Sequence, residues 1–118
     1  MRVLGLVWMG VPARSYEQTV QLFRDVLGLR VELEKERTTE LSLPDGARVQ
    51  IFAPGHRYHE LFDRPVPLFE VDDVREARRR LEEAGAELIG SVESDEAWEW
   101  FDFRGPDGNL YELGSRRG

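Results

Sequence analysis

Apolar and polar residues alternate along eight stretches of the chain, and a period of two residues is typical of strands that bury one face. The predicted strands span residues 3–11, 30–35, 38–43, 48–52, 66–71, 87–92, 98–104 and 110–114. Between the fourth and fifth of these strands the periodicity lapses, and Gly and Pro punctuate the chain. This stretch is therefore predicted to be a connector.

Two further stretches repeat their apolar residues three and four positions apart, which is the spacing of a helix. One face of residues 16–27 carries Val20, Leu22, Phe23, Val26 and Leu27, and one face of residues 74–84 carries Val74, Ala77, Leu81 and Ala84. Gly28 and Gly85 follow directly and are typical helix ends. Asp73 is placed to cap the second helix, in which Glu76 and Arg80 are spaced to form an ion pair.

The predicted elements follow the order βαβββ twice, and the sequence itself repeats. Pro44-Asp45-Gly46 recurs 62 positions later as Pro106-Asp107-Gly108, each time before an alternating stretch. Such a turn reverses one strand into the next, because Pro fixes φ and Gly is free to take positive φ. We therefore expect an α+β fold with two tandem βαβββ modules, at about residues 1–54 and 66–116, joined by a connector within one domain.

Charge is distributed unevenly over the chain. Of the net charge of −7, residues 1–59 contribute +1 and residues 60–118 contribute −8. This acidity disfavours nucleic acids and anionic membranes as partners, and it mildly favours neutral or cationic small molecules over anionic ones.

There is no Cys, which excludes disulfides, Cys-ligated zinc and thiol nucleophiles. Since no apolar stretch approaches the roughly 18 residues of a membrane span and no signal-peptide pattern is present, we expect a cytoplasmic protein.

Three segments carry a resemblance to a known family: FRDVLGL at residues 23–29, FEVDDV at residues 69–74 and FRGPDGNLYEL at residues 103–113. With the twofold repeat, they make the chain resemble the vicinal oxygen chelate superfamily of glyoxalases, bleomycin-resistance proteins and extradiol dioxygenases. The resemblance implies a curled, cup-shaped mixed β-sheet with helices outside and a ligand inside, and a homodimer. Both enzymes and binding proteins share this fold, so it does not fix the function.

The resemblance also gives a test for a metal centre. Metalloenzymes of this superfamily hold one divalent ion with four His, Glu or Gln ligands on strands, and the corresponding positions here are Leu6, Gln50, Val66 and Glu112. Leu and Val have no lone pair to donate to a cation, which leaves only two ligands. We therefore expect no metal and no other cofactor, and we interpret His56 and His59 as connector residues rather than ligands.

Three tryptophans are predicted to line the interior of the cup, because strand parity places one on the face of Leu6 and the other two opposite Phe101 and Phe103, which are expected under the helices. They are Trp8, Trp98 and Trp100. Flat indole rings suit a planar or aromatic guest. Polar anchors for that guest are predicted at Gln50, Glu112 and Arg48, with Leu6 and Val66 as further lining residues.

These residues favour a metal-free glyoxalase/bleomycin-resistance-like protein that binds a small apolar or aromatic molecule. Two alternatives stay open. One is a metal-dependent lyase, isomerase or dioxygenase of the same superfamily with an atypical site, in which Glu112 acts as general base. The other is a dimeric pseudo-enzyme with a regulatory or interaction role.

Overall fold

The chain forms eight strands and three α-helices. A computed structural model describes all 118 residues. The strands are β1 (Val3–Pro12), β2 (Arg30–Glu34), β3 (Thr38–Ser42), β4 (Arg48–Phe52), β5 (Val66–Val71), β6 (Glu87–Ser94), β7 (Trp98–Arg104) and β8 (Leu110–Arg116). The helices are α1 (Tyr16–Gln21), which continues into a π-helical turn (Leu22–Val26), α2 (Arg57–Leu61) and α3 (Val74–Glu83). The predicted α+β class and the repeated βαβββ order are confirmed. None of the helices has the length and apolar composition that a membrane crossing needs.

The chain divides into two compact units. The first unit is Val7–Val66, and the second is Pro67–Gly118 together with Met1–Leu6. Strand β1 therefore contributes its first residues to the second unit. There the backbone N–H of Arg2 donates to the Asp72 carboxylate at 3.0 Å, and the N-terminal ammonium donates to Glu76 at 2.9 Å.

The first unit packs α1 against one face of its strands. Their order is β2-β3-β4-β1, with β1 and β4 parallel and the other neighbours antiparallel. The core between helix and strands contains Ala13, Val20, Leu41, Val49 and Ile51. Because side chains alternate along a strand, Arg48 and Gln50 point to the opposite face, which we call the helix-free face of the first unit.

The second unit repeats this arrangement with α3. Its strand order is β5-β8-β7-β6, with β5 and β8 parallel and the other neighbours antiparallel. The core under the helix contains Val71, Val74, Ala77, Phe101 and Leu113. The Asp73 carboxylate accepts from the backbone N–H groups of Arg75 and Glu76 at 3.0 and 3.2 Å, which confirms its predicted capping role.

Two helical predictions were wrong in detail. Leu22, Val26 and Leu27 are 47%, 73% and 55% exposed rather than buried, because the chain leaves α1 through a π-helical turn. The backbone N–H of Leu27 bonds to the carbonyl of Leu22, five residues back, so the apolar spacing of 3.6 residues no longer describes one face.

The ion pair predicted within α3 is also different. Glu76 binds the N-terminal ammonium, and Arg79 and Glu83 form the pair four residues apart, at 3.0 Å. The reason is that the first residues of the chain belong to this unit and bring a cation to Glu76.

Candidate functional site

A hydrogen-bonded row of side chains crosses the helix-free face of the first unit. The indole N–H of Trp8 donates to Oε1 of Gln50 at 3.2 Å, and Nε2 of Gln50 donates to Oγ1 of Thr38 at 3.0 Å. The Thr38 hydroxyl in turn donates to the backbone oxygen of Ile51 at 3.0 Å. Two of the predicted site residues, Trp8 and Gln50, are therefore in direct contact.

Gly10 explains why the Trp8 ring can lie over its own strand. Gly10 pairs with Gln50 in the parallel register of β1 and β4. A Cβ at this position would lie 2.7 Å from the Phe62 ring and would also collide with the Trp8 ring. The glycine thus makes the space that two aromatic side chains occupy.

Five aromatic rings collect around the end of β4, with Phe52 at their centre. Ring centroids lie at 4.7 to 6.2 Å from that of Phe52 for His56, Tyr58, Phe62 and Trp8. The rings of His56 and Tyr58 are stacked at 5.8 Å with an interplanar angle of 24°. Offset and tilted contacts of this kind are favourable for aromatic groups and build a rigid apolar wall.

Three of these rings, those of Phe52, His56 and Tyr58, form one side of an open cleft of about 510 Å³, which we call the aromatic cleft; Trp8 and Phe62 do not line it. Its floor is the polar row of Thr38 and Gln50, and its other side is the turn between β2 and β3. The lining residues are Leu33, Lys35, Glu36, Arg37, Thr38, Gln50, Phe52, His56 and Tyr58. The volume of this cleft falls within the range of small-molecule sites.

Helix α2 positions two of the lining rings. His56 is its N-cap, and Nδ1 of His56 accepts from the backbone N–H of Tyr58 at 3.1 Å. This bond fixes the His56 ring beside Phe52. Burial lowers the pKa of His56, and the positive charges of Arg57 and Arg37 lower it further, so the imidazole is neutral at neutral pH.

Arg48, a predicted anchor, forms an ion pair with Glu40. Its guanidinium donates to the Glu40 carboxylate on the neighbouring strand, and its side chain is 40% exposed. Arg48 does not line the aromatic cleft. The pair neutralises the charge of Glu40, which lies opposite Gln50 in the register of β3 and β4.

In the second unit, Trp98 and Trp100 lie on the face away from α3. Phe101 and Phe103 pack into the cluster under the helix, so alternation turns both indoles to the other side. The guanidinium of Arg116 lies over the Trp98 ring at 4.7 Å. This cation–π contact occupies one surface of that indole.

Glu112 shares this face of the second unit and is paired with another carboxyl group. It lies opposite Asp102 in the register of β7 and β8, and the two residues are 2% and 4% exposed. Burial, the hydrogen bond with Asp102 and the charges of Asp102 and Glu93 raise the pKa of Glu112 to about 10. At neutral pH this buried pair of carboxyl groups therefore retains a proton.

The side chains at the four family ligand positions do not fit a divalent ion. Leu6 and Val66 carry no donor atom. The amide oxygen of Gln50 already accepts from the Trp8 indole, and Glu112 is the one carboxyl group among the four. His56 and His59 add no site, since the chain holds no group of three or more His, Cys, Asp or Glu suited to a metal ion.

Sequence reasoning missed two parts of this picture. Asp102 was not recognised as the partner of Glu112, although it has the same strand parity as Trp98 and Trp100 and lies 62 positions after Glu40. The aromatic cleft was missed because its wall comes from the connector, where His56 and Tyr58 carry no periodic signal.

Comparison with known proteins identifies the family. The model of the glyoxalase/bleomycin resistance protein/dioxygenase superfamily matches residues 5–113. The chain belongs to this superfamily, as the sequence motifs indicated. A search of curated proteins found no match.

Solved structures of the superfamily share the fold at low sequence identity. A glyoxalase/bleomycin resistance protein/dioxygenase superfamily member from Vibrio splendidus 12B01 is 21% identical with a TM-score of 0.73, covering 97% of this chain and 99% of that one. Methylmalonyl-CoA epimerase from Mycobacterium tuberculosis is 21% identical with a TM-score of 0.74, covering 98% and 90%. The Mn(II)-bound glyoxalase from Novosphingobium aromaticivorans is 23% identical with a TM-score of 0.73, covering 97% of this chain and 39% of that one.

Proposed function

We propose that this protein is a metal-free, small-molecule-binding member of the superfamily, and that it holds an apolar or aromatic molecule in the aromatic cleft. The observation that carries the proposal is the combination of an aromatic wall around Phe52 with a polar floor at Gln50 and Thr38. A stacked wall offers dispersion and apolar contact to a planar guest, and the floor can orient it. Binding needs only affinity, so the proposal requires no reactive group.

The donor chemistry at the family ligand positions supports the metal-free part of the proposal. Leu6 and Val66 have no lone pairs, so only Gln50 and Glu112 of the four positions could ligate a cation. A protonated carboxyl group is also a poor general base at neutral pH, which weakens the enzymatic alternative built on Glu112.

Metal analysis tests the first part of the proposal. The protein, purified without a His tag, is expected to contain substoichiometric amounts of divalent metals by inductively coupled plasma mass spectrometry. One tightly held divalent ion per chain would instead favour a metal-dependent lyase, isomerase or dioxygenase.

Binding of a neutral planar probe tests the second part. Naphthylmethanol, followed by amide chemical shifts, is expected to perturb residues of the aromatic cleft. Tyr58→Leu should weaken its affinity by about fivefold or more, because one ring of the wall is lost. Tyr111→Leu makes the same change in the second unit and should leave the affinity unchanged. Probe binding that is insensitive to Tyr58→Leu would rule out this cleft as the site.

A further inference from the structure

The polar groups of the aromatic cleft are mainly hydrogen-bond donors. Oε1 of Gln50 accepts from the Trp8 indole, which can only donate, so the orientation of the amide is fixed. Nε2 of Gln50 uses one N–H on Thr38 and keeps a second one. The acceptor capacity of Gln50 toward a guest is thus reduced while its donor capacity is retained.

His56 shows the same bias toward donation. Its Nδ1 accepts from the backbone N–H of Tyr58 at 3.1 Å, and its lowered pKa keeps the ring neutral. In a neutral imidazole whose Nδ1 is an acceptor, Nε2 carries the proton. His56 therefore presents an N–H on the edge of the aromatic wall.

Two cations and one carboxylate line the third side of the cleft. They are Lys35, Arg37 and Glu36, all exposed residues of the turn between β2 and β3, and they give this side a net charge of +1. The guanidinium of Arg57 lies outside the lining, 4.6 Å from the centroid of the Tyr58 ring. The residues that line the cleft therefore carry a net charge of +1 in a protein whose net charge is −7.

The cationic turn is held in place by backbone contacts. The N–H of Lys35 donates to the carbonyl of Thr38 at 2.8 Å, and the N–H of Ala53 donates to the carbonyl of Arg37 at 2.9 Å. The Arg37 side chain lies across Gly55, where a Cβ would come within 3.3 Å of Nη1. Gly55 has a φ of 95°, so both its conformation and its lack of a side chain suit this contact.

From this arrangement we infer that the ligand of the aromatic cleft is a planar aromatic carboxylate. The inference rests on the proposed binding function and specifies the charge of the guest. Its ring would lie against Phe52, His56 and Tyr58, and its carboxylate would take the donors of the floor and the cations of the turn. The local charge thus points to an anionic guest, whereas net charge alone had favoured neutral or cationic ones.

Three probes that share one ring system test the inference: naphthoate, naphthylmethanol and naphthylmethylamine, titrated into the full chain by calorimetry. Naphthoate is expected to bind about tenfold more tightly than the alcohol, and the amine more weakly than both. The preference for naphthoate should shrink as salt is raised, while the affinity of the alcohol changes little.

Variants that remove a cation test which residues cause the preference for naphthoate. Arg37→Gln and Lys35→Gln are each expected to weaken naphthoate binding by about three- to tenfold and to leave the alcohol unchanged. Arg14→Gln is the matched control, since Arg14 is an exposed arginine of the same unit outside the cleft lining, and it should change neither affinity.

The outcomes separate the two proposals. If the alcohol or the amine binds as tightly as naphthoate, or if Arg37→Gln weakens all three probes equally, the carboxylate inference is wrong and aromatic binding stands. If no probe binds, both proposals fail.

Discussion

The same cross-strand position carries different chemistry in the two units of this protein. In the first unit, Glu40 lies opposite Gln50, and the Arg48 guanidinium bonds to the Glu40 carboxylate. The acid is partly exposed and neutralised, so its amide neighbour is free to bond to Trp8 and Thr38. This unit can therefore present an ordered, donor-rich face.

In the second unit, both members of the corresponding pair are acids. Asp102 lies opposite Glu112, and the residue 62 positions after Arg48 is Leu110, which is 2% exposed. An apolar side chain in place of the cation leaves the two carboxyl groups to share a proton instead. Two differences, leucine in place of the cation and an acid in place of the amide, thus separate an ion pair from an acid pair on otherwise similar strands.

The sequence repeat therefore preserves the pairing of the strands, but not the side chains that determine whether the paired groups hold a proton. The first unit pairs its acid with a cation, whereas the second unit retains a proton on a buried pair of acids. We expect binding chemistry to depend on the first unit and the pH dependence of stability to depend on the second.

Glu112→Gln should have the largest effect, and it should stabilise the protein. The folded pKa of about 10 lies above the unfolded value of 4.5, so the folded state binds more protons between these pH values. Stability from this group is complete below about pH 4.5 and falls as pH rises toward 10. Gln stays neutral and keeps a donor for Asp102. It should raise the free energy of unfolding by an amount on the order of 3 kcal/mol at about pH 7, increasing at higher pH.

Urea unfolding followed by circular dichroism, repeated from about pH 5 to about pH 9, measures this effect. The wild type should lose stability across the range more steeply than the variant. Glu87→Gln, at an exposed carboxylate of the same unit, is the control and should keep the wild-type slope. Equal slopes for wild type and Glu112→Gln would mean that Glu112 is not protonated at neutral pH.

Gln50→Glu should make the first unit resemble the second and remove its donor. A carboxylate at the floor of the aromatic cleft repels an anionic guest and loses the N–H groups of the amide. We expect naphthoate affinity to fall by about tenfold or more, with a smaller change for naphthylmethanol. Gln21→Glu, the same change at an exposed position of the same unit, serves as control in the calorimetric titration. If naphthoate binds Gln50→Glu as tightly as the wild type, Gln50 is not part of the binding site.

The fold could be predicted from the sequence because its determinants are local. Alternation of apolar residues, the two Pro-Asp-Gly turns and the Asp73 cap each act over a few residues, and they placed most element ends within two residues of those observed. There are two exceptions: the turn at Leu22–Val26, where the helix changes its hydrogen-bond pattern without a Gly or Pro to indicate it, and α2, which lies in the predicted connector.

The candidate site was less predictable because it depends on contacts between distant residues. Strand parity brought Trp8 and Gln50 to one face, but the cleft requires Gly10 to leave room and His56 to begin α2. The protonation of Glu112 depends on its partner Asp102, which follows from strand register rather than from any motif. Such properties appear only when the register and burial of each side chain are known.

Asp73→Ala should show that the helices of the two units depend on different interactions. Asp73 caps α3 with two backbone bonds, whereas Ser15 at the start of α1 makes no such side-chain bond. We expect Asp73→Ala to lower the free energy of unfolding by about 1 kcal/mol, and Ser15→Ala by only a few tenths. Urea midpoints measure both variants. A comparable loss in Ser15→Ala would show that its hydroxyl caps α1 in solution.

Arg48→Leu should have the smallest effect and tests the origin of the difference between the units. It introduces the residue type of Leu110 beside Glu40 and removes a charge-assisted hydrogen bond. Because Arg48 is 40% exposed, solvent screens the pair, and we expect a loss of about 0.5 kcal/mol. Arg30→Leu is the control, since its contact with Glu32 is longer, at 3.5 Å, and its side chain is 83% exposed. If Arg48→Leu is no more destabilising than Arg30→Leu in urea unfolding, the ion pair between Arg48 and Glu40 does not stabilise the first unit. The difference between Glu40 and Asp102 would then follow from their burial alone.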